Sequence, residues 1–271
     1  MKKVLVYFVS IIFMFAWIPN IQAQSDQAEK KSDQWWAARH WQRPKPNPQA
    51  KLLPLIQVKG NKFVNSRGDT ILFRGLSISD PDKLDDQGHW TKEHFEKVKE
   101  MGAMIVRIPI HPIAWRNQTP EKYLALLDQA VEWCTALELY IIIDWHSIGN
   151  LQMELFQHRM YDTTKKETYE FWRAIVGHFR GHNTVTFYEI LNEPTTINGL
   201  LGNMSWTEWK KINEDIIDLI RAYDNETIPL VAGFDWAYDL TPLHYDPIDK
   251  KDIAYVTHPY AMKRSQPWEP K

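Results

Sequence analysis

Val185-Thr186-Phe187-Tyr188 runs on into Ile190-Leu191-Asn192-Glu193-Pro194, and this stretch decides how the rest of the chain is read. An apolar run of strand length ends in an amide, a carboxylate and a proline that stops the strand. A glutamate placed there is presented to a ligand. The same layout recurs three times. Arg107 closes Met104-Ile105-Val106, His146 follows Ile141-Ile142-Ile143-Asp144-Trp145, and His258 follows the apolar run 253–257. Polar groups gathered at the carboxyl ends of successive parallel strands mark the active-site face of a (β/α) barrel.

Working outward, strands are predicted over 71–76, 104–108, 139–144, 185–191, 229–233 and 253–257. Each is a short continuous apolar run, as a strand covered on both faces requires. Helix signals separate them. Thr91 can cap one helix, with Trp90 and Phe95 as a hydrophobic staple and Gly102 at its end. Thr119-Pro120-Glu121 opens a second, whose apolar stripe is Leu124, Leu127, Val131, Cys134 and Leu137. Ser205-Trp206-Thr207-Glu208 is a capping box for a third, running through Ile212, Ile216 and Leu219. Strand–helix alternation means a parallel sheet with crossover helices, either doubly wound or closed into a barrel. No G-x-G-x-x-G turn follows the first strand, and reactive side chains end nearly every strand, so the barrel is favoured. Upstream, Gly60-Asn61 and Arg67-Gly68-Asp69 separate short apolar runs between Val58 and Leu72, which predicts a hairpin lid over the bottom of the barrel.

The amino terminus is basic at Lys2-Lys3, apolar from Val4 to Ile18, and offers the small residue Ala23 for cleavage. That order predicts a signal peptide over 1–23 and a secreted, periplasmic or cell-surface protein with no membrane association after cleavage. Residues 24–54 read as a polar, proline-rich lead-in containing Trp35-Trp36, and 55–271 as the catalytic domain. A net charge of −2 gives no electrostatic case for nucleic acid. Thirteen tryptophans is the outlying figure; about half are assigned to core packing and the rest are candidates for stacking on sugar rings, a division that composition alone does not decide. Cys134, the only cysteine, reads as a core residue. The histidines lie on different strands without H-x-H or H-E-x-x-H spacing, so no metal is expected.

The strings Val106-Arg107-Ile108-Pro109, Asp144-Trp145-His146, Asn192-Glu193-Pro194 and His258-Pro259-Tyr260, with Arg74-Gly75 opening the series, resemble glycoside hydrolase family 5, the retaining β-glucanase and β-mannanase group. The resemblance implies a (β/α)8 TIM barrel of which this sequence carries six of eight units. It implies Glu193 as acid/base, a group that must be protonated near neutral pH to serve the leaving oxygen. Asn192 would hold the sugar 2-hydroxyl, and His146 a sugar hydroxyl or the acid itself. Arg107 would brace the catalytic carboxylates. His258 would touch substrate near the cleaved bond, and Tyr260 would donate to the nucleophile. Trp236 is a candidate sugar platform and Asp144 a structural aspartate. No cofactor is implied, because two carboxylates suffice.

In that family the nucleophilic glutamate ends strand seven. Glu269 is too close to Tyr260 and is bracketed by Pro267 and Pro270, so it is rejected for that role. The expectation is a chain truncated before strand seven, aggregation-prone and nearly inactive by itself, and monomeric at full length. The expected substrate is a β-1,4-glucan, with β-mannan second. A catalytically incomplete sugar-binding barrel is the reading from a different class.

Overall fold

The computed structural model describes residues 52–260; the predicted signal segment, Trp35-Trp36 and Glu269 lie outside them. Six parallel strands form one sheet: β4 (Gly75–Ser77), β5 (Ile105–Ile110), β6 (Tyr140–Trp145), β9 (Val185–Glu189), β11 (Ile228–Ala232) and β12 (Ala254–Val256). Their spatial order is β12-β11-β9-β6-β5-β4, and every adjacent pair is parallel. Spatial order thus follows chain order without reversal. A doubly wound sheet would reverse at a switch point, so the ambiguity left by the sequence resolves to six of the eight units of a TIM barrel. Among the described residues, β4 and β12 each have a partner on one side only.

The predicted strands are found with shifted ends. The first is the largest correction: Ile71 belongs to a separate antiparallel sheet, and the barrel strand begins only at Gly75. Its position is fixed by contact, because a Cβ at residue 75 would collide with the carbonyl of Ile105. The fourth strand stops at Glu189, and Glu193–Pro194 form a separate short strand, β10. β10 pairs in parallel with β7 (Ile148–Asn150), which is the first arm of a hairpin with β8 (Leu155–Phe156).

The hairpin lid is present as β1 (Gln57–Lys59), β2 (Lys62–Val64) and β3 (Thr70–Ile71) in one antiparallel sheet. Its Val58, Phe63 and Ile71 pack on Ile105, Phe187, Ile228 and Leu230 at the amino ends of the barrel strands. Leu53, in the last residues of the lead-in, is buried as well. Burying Phe187 and its neighbours away from water stabilises this end by about 1.5–3 kcal/mol per large side chain.

Two short helices, α1 (Pro81–Asp86) and α3 (Pro112–Asn117), each open on a proline, and the longer helices follow their caps. In α2 (Lys92–Glu100) Trp90 and Phe95 meet edge to face, as the staple requires, but Thr91 makes no side-chain cap bond. In α4 (Pro120–Leu137) Thr119 accepts from the Lys122 N–H. The buried stripe of α4 is Tyr123, Leu127, Ala130, Val131 and Cys134; Leu124 and Leu137 flank it half-buried, a rotation of the expected face driven by the buried Tyr123 hydroxyl. Burial pushes the Cys134 thiol pKa up, consistent with an inert core residue. Helix α5 (Lys165–Phe179) and the capping box of α6 (Trp206–Tyr223) complete the cover, with Ile212, Ile216 and Leu219 buried. No helix among the described residues is long and apolar enough to cross a membrane.

Candidate active site

Side chains on the inner face of the sheet alternate in layers. Ile105, Ile142, Phe187 and Leu230 line the lower part of an open concavity of about 370 Å³ with Gly75, Ser77 and Val256. Two residues further along three of those strands stand Arg107, Asp144 and Glu189, which the period-2 pleat places on the same face. Asp144 and Glu189 are register partners. Apolar packing therefore gives way to a charged layer one step nearer the carboxyl ends.

Arg107 organises that layer. Its Nε donates to Glu189 Oε2 at 2.7 Å and its Nη2 to Glu189 Oε1 at 2.8 Å, a bidentate pair. Nη2 also lies 2.9 Å from Asp144 Oδ2 and donates to Asn192 Oδ1 at 2.7 Å. Burial alone would lower the arginine pKa, but the surrounding carboxylates raise it. Burial likewise works against the Glu189 carboxylate, yet Arg107 and His258 hold it down to about 2. Arg107, expected to brace the catalytic carboxylates, grips Glu189, Asp144 and Asn192, and none of these contacts is to Glu193 itself.

Glu193 presents one carboxylate, its side chain 11% exposed, and its Oε1 lies 3.1 Å from His258 Nδ1. Its backbone N–H donates to Ser147, and the Asn192 N–H to Trp145, so the strand end of β6 positions both residues. His146 directs Nδ1 at Asp144 Oδ2, 2.6 Å away, which fixes the ring and leaves Nε2 for a ligand. Asp144, fully buried, thus anchors Arg107 and His146.

His258 stands deeper than expected. Its Nε2 is 3.1 Å from Glu189 Oε1, so the ring bridges two glutamates. Burial opposes its charge, but the hydrogen bonds to Glu189 and Glu193 prevail and bring its pKa to about 9. Tyr260 is half-exposed and its N–H donates to the Tyr238 hydroxyl. Burial and the nearby Glu193 charge raise the pKa of its phenol. Trp236 lies in a turn, Phe234–Ala237, packed on β10; its indole N–H donates to Gln157 Oε1 at 3.2 Å. Asp235, Trp236 and Ala237 all have positive φ, 57°, 58° and 61°, a strained run of three non-glycine residues.

Several residues here escaped the sequence reading. Glu189 carried a signal: a charge inside a run buried on both faces demands a partner, the argument already applied to Arg107. Asp80, buried after β4, accepts from the Tyr123 hydroxyl and the His111 N–H, and lies 3.0 Å from His111 Nδ1. His111 in turn stacks against Tyr161 and meets His146 edge to face. Nothing in the local sequence joins residues 80, 111, 123 and 161. Of the eight tryptophans among the described residues, Trp90, Trp115, Trp145, Trp172 and Trp209 are buried, so core packing takes the larger share. No cluster of three or more His, Cys, Asp or Glu side chains suited to a metal occurs among the described residues.

The described groups can hold and polarise a hydroxylated ligand and exchange one proton at Glu193. Glu189 and Asp144 are 1% and 0% exposed and ion-paired, so neither can reach a substrate carbon.

Comparison with known proteins gives a coherent picture. The sequence profile of cellulase (glycosyl hydrolase family 5) matches residues 64–271. A β-glucanase from Saccharophagus degradans is 45% identical, with a TM-score of 0.80 over 86% of this chain and 69% of its own. The same β-glucanase in complex with cellotetraose gives 0.81. Endoglucanase A of Butyrivibrio fibrisolvens is 26% identical over 218 residues, 76% of this chain and 45% of its own. Cellulase CelDZ1 of a Thermoanaerobacterium species is 24% identical over 80% of this chain and 54% of its own. The chain spans about half the length of these curated relatives.

Proposed function

Because the chain belongs to glycosyl hydrolase family 5, we propose that it is the acid/base-bearing part of a retaining endo-β-1,4-glycan hydrolase. One observation carries this reading: Glu193 ends the fourth unit of the barrel, one oxygen held by His258 and its neighbour Asn192 held by Arg107. In the first half-reaction Glu193 gives its proton to the leaving glycosidic oxygen while a second carboxylate bonds the anomeric carbon. In the second, Glu193 takes a proton from the water that displaces that carboxylate. Asn192 binds the 2-hydroxyl, His146 a neighbouring hydroxyl through Nε2, and Trp236 and Tyr260 line the cleft.

The two carboxyl groups of a retaining enzyme stand about 5–5.5 Å apart across the substrate. Glu189 and Asp144, the other carboxylates of the charged layer, do not fit that position, since both are buried in ion pairs. The nucleophile is therefore assigned to a strand pairing beyond β12, in two further βα units that close the ring onto β4. The unpaired edges of β4 and β12 support this, as does the 69% coverage of the S. degradans enzyme. Secretion follows from the amino-terminal segment. β-1,4-Glucan is the first-choice substrate, given a 45% identical β-glucanase seen with cellotetraose, and β-mannan the second.

Reducing-sugar release from carboxymethylcellulose and mannan tests the reading. The 271-residue chain is compared with a form carrying two further βα units and with its Glu193→Gln variant. Turnover by the longer form on carboxymethylcellulose, lost in Glu193→Gln by about 10²–10⁴-fold, is expected. Undiminished turnover in that variant would exclude Glu193 as the acid. The burial of Glu189 and Asp144 in ion pairs also favours a binding-only barrel, which would bind cellotetraose with no product from either form.

A further inference from the structure

Glu189 has no part in the bond-making steps above, yet its contacts are more numerous than those of Glu193. Oε2 accepts from Arg107 Nε, and Oε1 accepts from Arg107 Nη2 while lying 3.1 Å from His258 Nε2. The opposite ring nitrogen, Nδ1, is 3.1 Å from Glu193 Oε1. Once Glu193 has given up its proton both carboxylates can only accept, so the ring between them then carries a proton on each nitrogen. The ring is then pinned at both ends, and Arg107 pins the far glutamate in turn.

From this geometry we propose that Glu189 is a positioning residue for the acid/base. Anchored on Arg107, it sets the His258 ring so that Nδ1–H occupies Oε1 of Glu193 and the exchangeable proton is confined to Oε2. The proposal rests on the reading of Glu193 given above. Proton accounting is simple. Oε2 loses its proton to the leaving oxygen and regains one from the attacking water. His258 keeps both of its protons throughout, and Glu189 stays ionised.

A neutral His258 could occupy the same place with a single N–H, but it would then face one of the two carboxylates with a lone pair. The groups around it argue against that. Glu189 from β9 and Glu193 from β10 both touch the ring, while the cation facing it among the described residues, Arg107 from β5, is already matched by Glu189 and Asp144. The raised pKa of His258 and the depressed pKa of Glu189 agree with the charged form. Tyr161 and Tyr260, the other titratable groups close to Glu193, have phenol pKa values raised by burial and stay neutral at working pH.

Histidine-selective ¹⁵N NMR of the 271-residue chain is the direct test. Both ring nitrogens of His258 are expected to carry protons at pH 7, with a titration midpoint near 9. In Glu189→Gln, whose side chain keeps its shape and loses its charge, the midpoint falls by about 1–3 pH units. A single N–H at pH 7 or a midpoint near 6.5 in the unmodified chain overturns the proposal, and this arm decides even if Glu189→Gln does not fold. In the longer, hydrolytic form, Glu189→Gln is expected to lower kcat about tenfold or more, leave KM within about twofold and move the pH profile. An unchanged kcat and pH profile in Glu189→Gln, beside an inactive Glu193→Gln, defeats the positioning role and leaves the acid/base reading intact. Full turnover by Glu193→Gln defeats the acid/base reading, whatever His258 does.

Discussion

The central strands β5, β6 and β9 and the outer strands β4 and β12 belong to one sheet, yet they are built for different tasks. The central three are buried along nearly their whole length and carry Arg107, Asp144 and Glu189. The outer two are exposed or half-buried: Leu76 is 41% exposed and Tyr255 38%. A charge cluster needs surroundings that exclude water and hold partners still, and only strands covered on both faces provide them. Among the described residues, the outer strands hold the apolar pattern of a barrel stave with a strand partner on one side only. Charge is concentrated where cover is complete, and exposed apolar surface where it is not.

The largest expected effect lies in the cover of the centre. Trp172 of α5 is fully buried and its indole donates to the Ile190 carbonyl, so Trp172→Ala should cost about 3–5 kcal/mol in denaturant unfolding. Arg107→Met comes close behind. It removes the buried cation from Glu189 and Asp144 and leaves them only the histidine partners His258 and His146, with an expected loss of about 3–5 kcal/mol at pH 7. If Arg107→Met cost no more than an edge substitution, the contrast between centre and edge would fail.

The pH dependence sharpens the same comparison. The Glu189 pKa is depressed from 4.5 to about 2, so its contribution is present above 4.5 and lost as pH falls through about 2. The His258 pKa is raised from 6.5 to about 9, so its contribution is complete below 6.5 and lost as pH rises through about 9. Both act in full between about 4.5 and 6.5, where unfolding midpoints should be highest. His258→Asn should flatten the alkaline side and, because His258 also helps hold Glu189 down, shift the acid limb to higher pH. The smallest thermodynamic effect belongs to the edge. Leu76→Lys should change unfolding by no more than about 0.5 kcal/mol, yet reduce self-association in light scattering, because a charge blunts an unpaired strand.

How much of this could be read in advance depended on the range of the interaction. The capping box at Ser205 and Glu208 is present in full, since both partners lie within one turn. Arg107, Asn192, Glu193 and His258 were all marked by polar character at strand ends, and the fold brings them into one network. The first strand was misplaced because Ile71 and Leu72 look like strand interior. Only the close approach of Gly75 to Ile105 shows where the barrel begins. Tyr123 shifted the face of α4 because its hydroxyl seeks Asp80, 43 residues away.

The sequence by itself determined the alternation of strand and helix, the caps, and the set of polar residues at the strand ends, because each is a short-range consequence of side-chain size, charge and period. Tertiary structure alone decided that the strands run in unreversed order, that Glu189 takes both the Arg107 fork and one nitrogen of His258, and that Glu193 takes the other. Hydrogen bonds between residues 65 to 85 positions apart are set by the curvature and register of the sheet, and no local pattern encodes those.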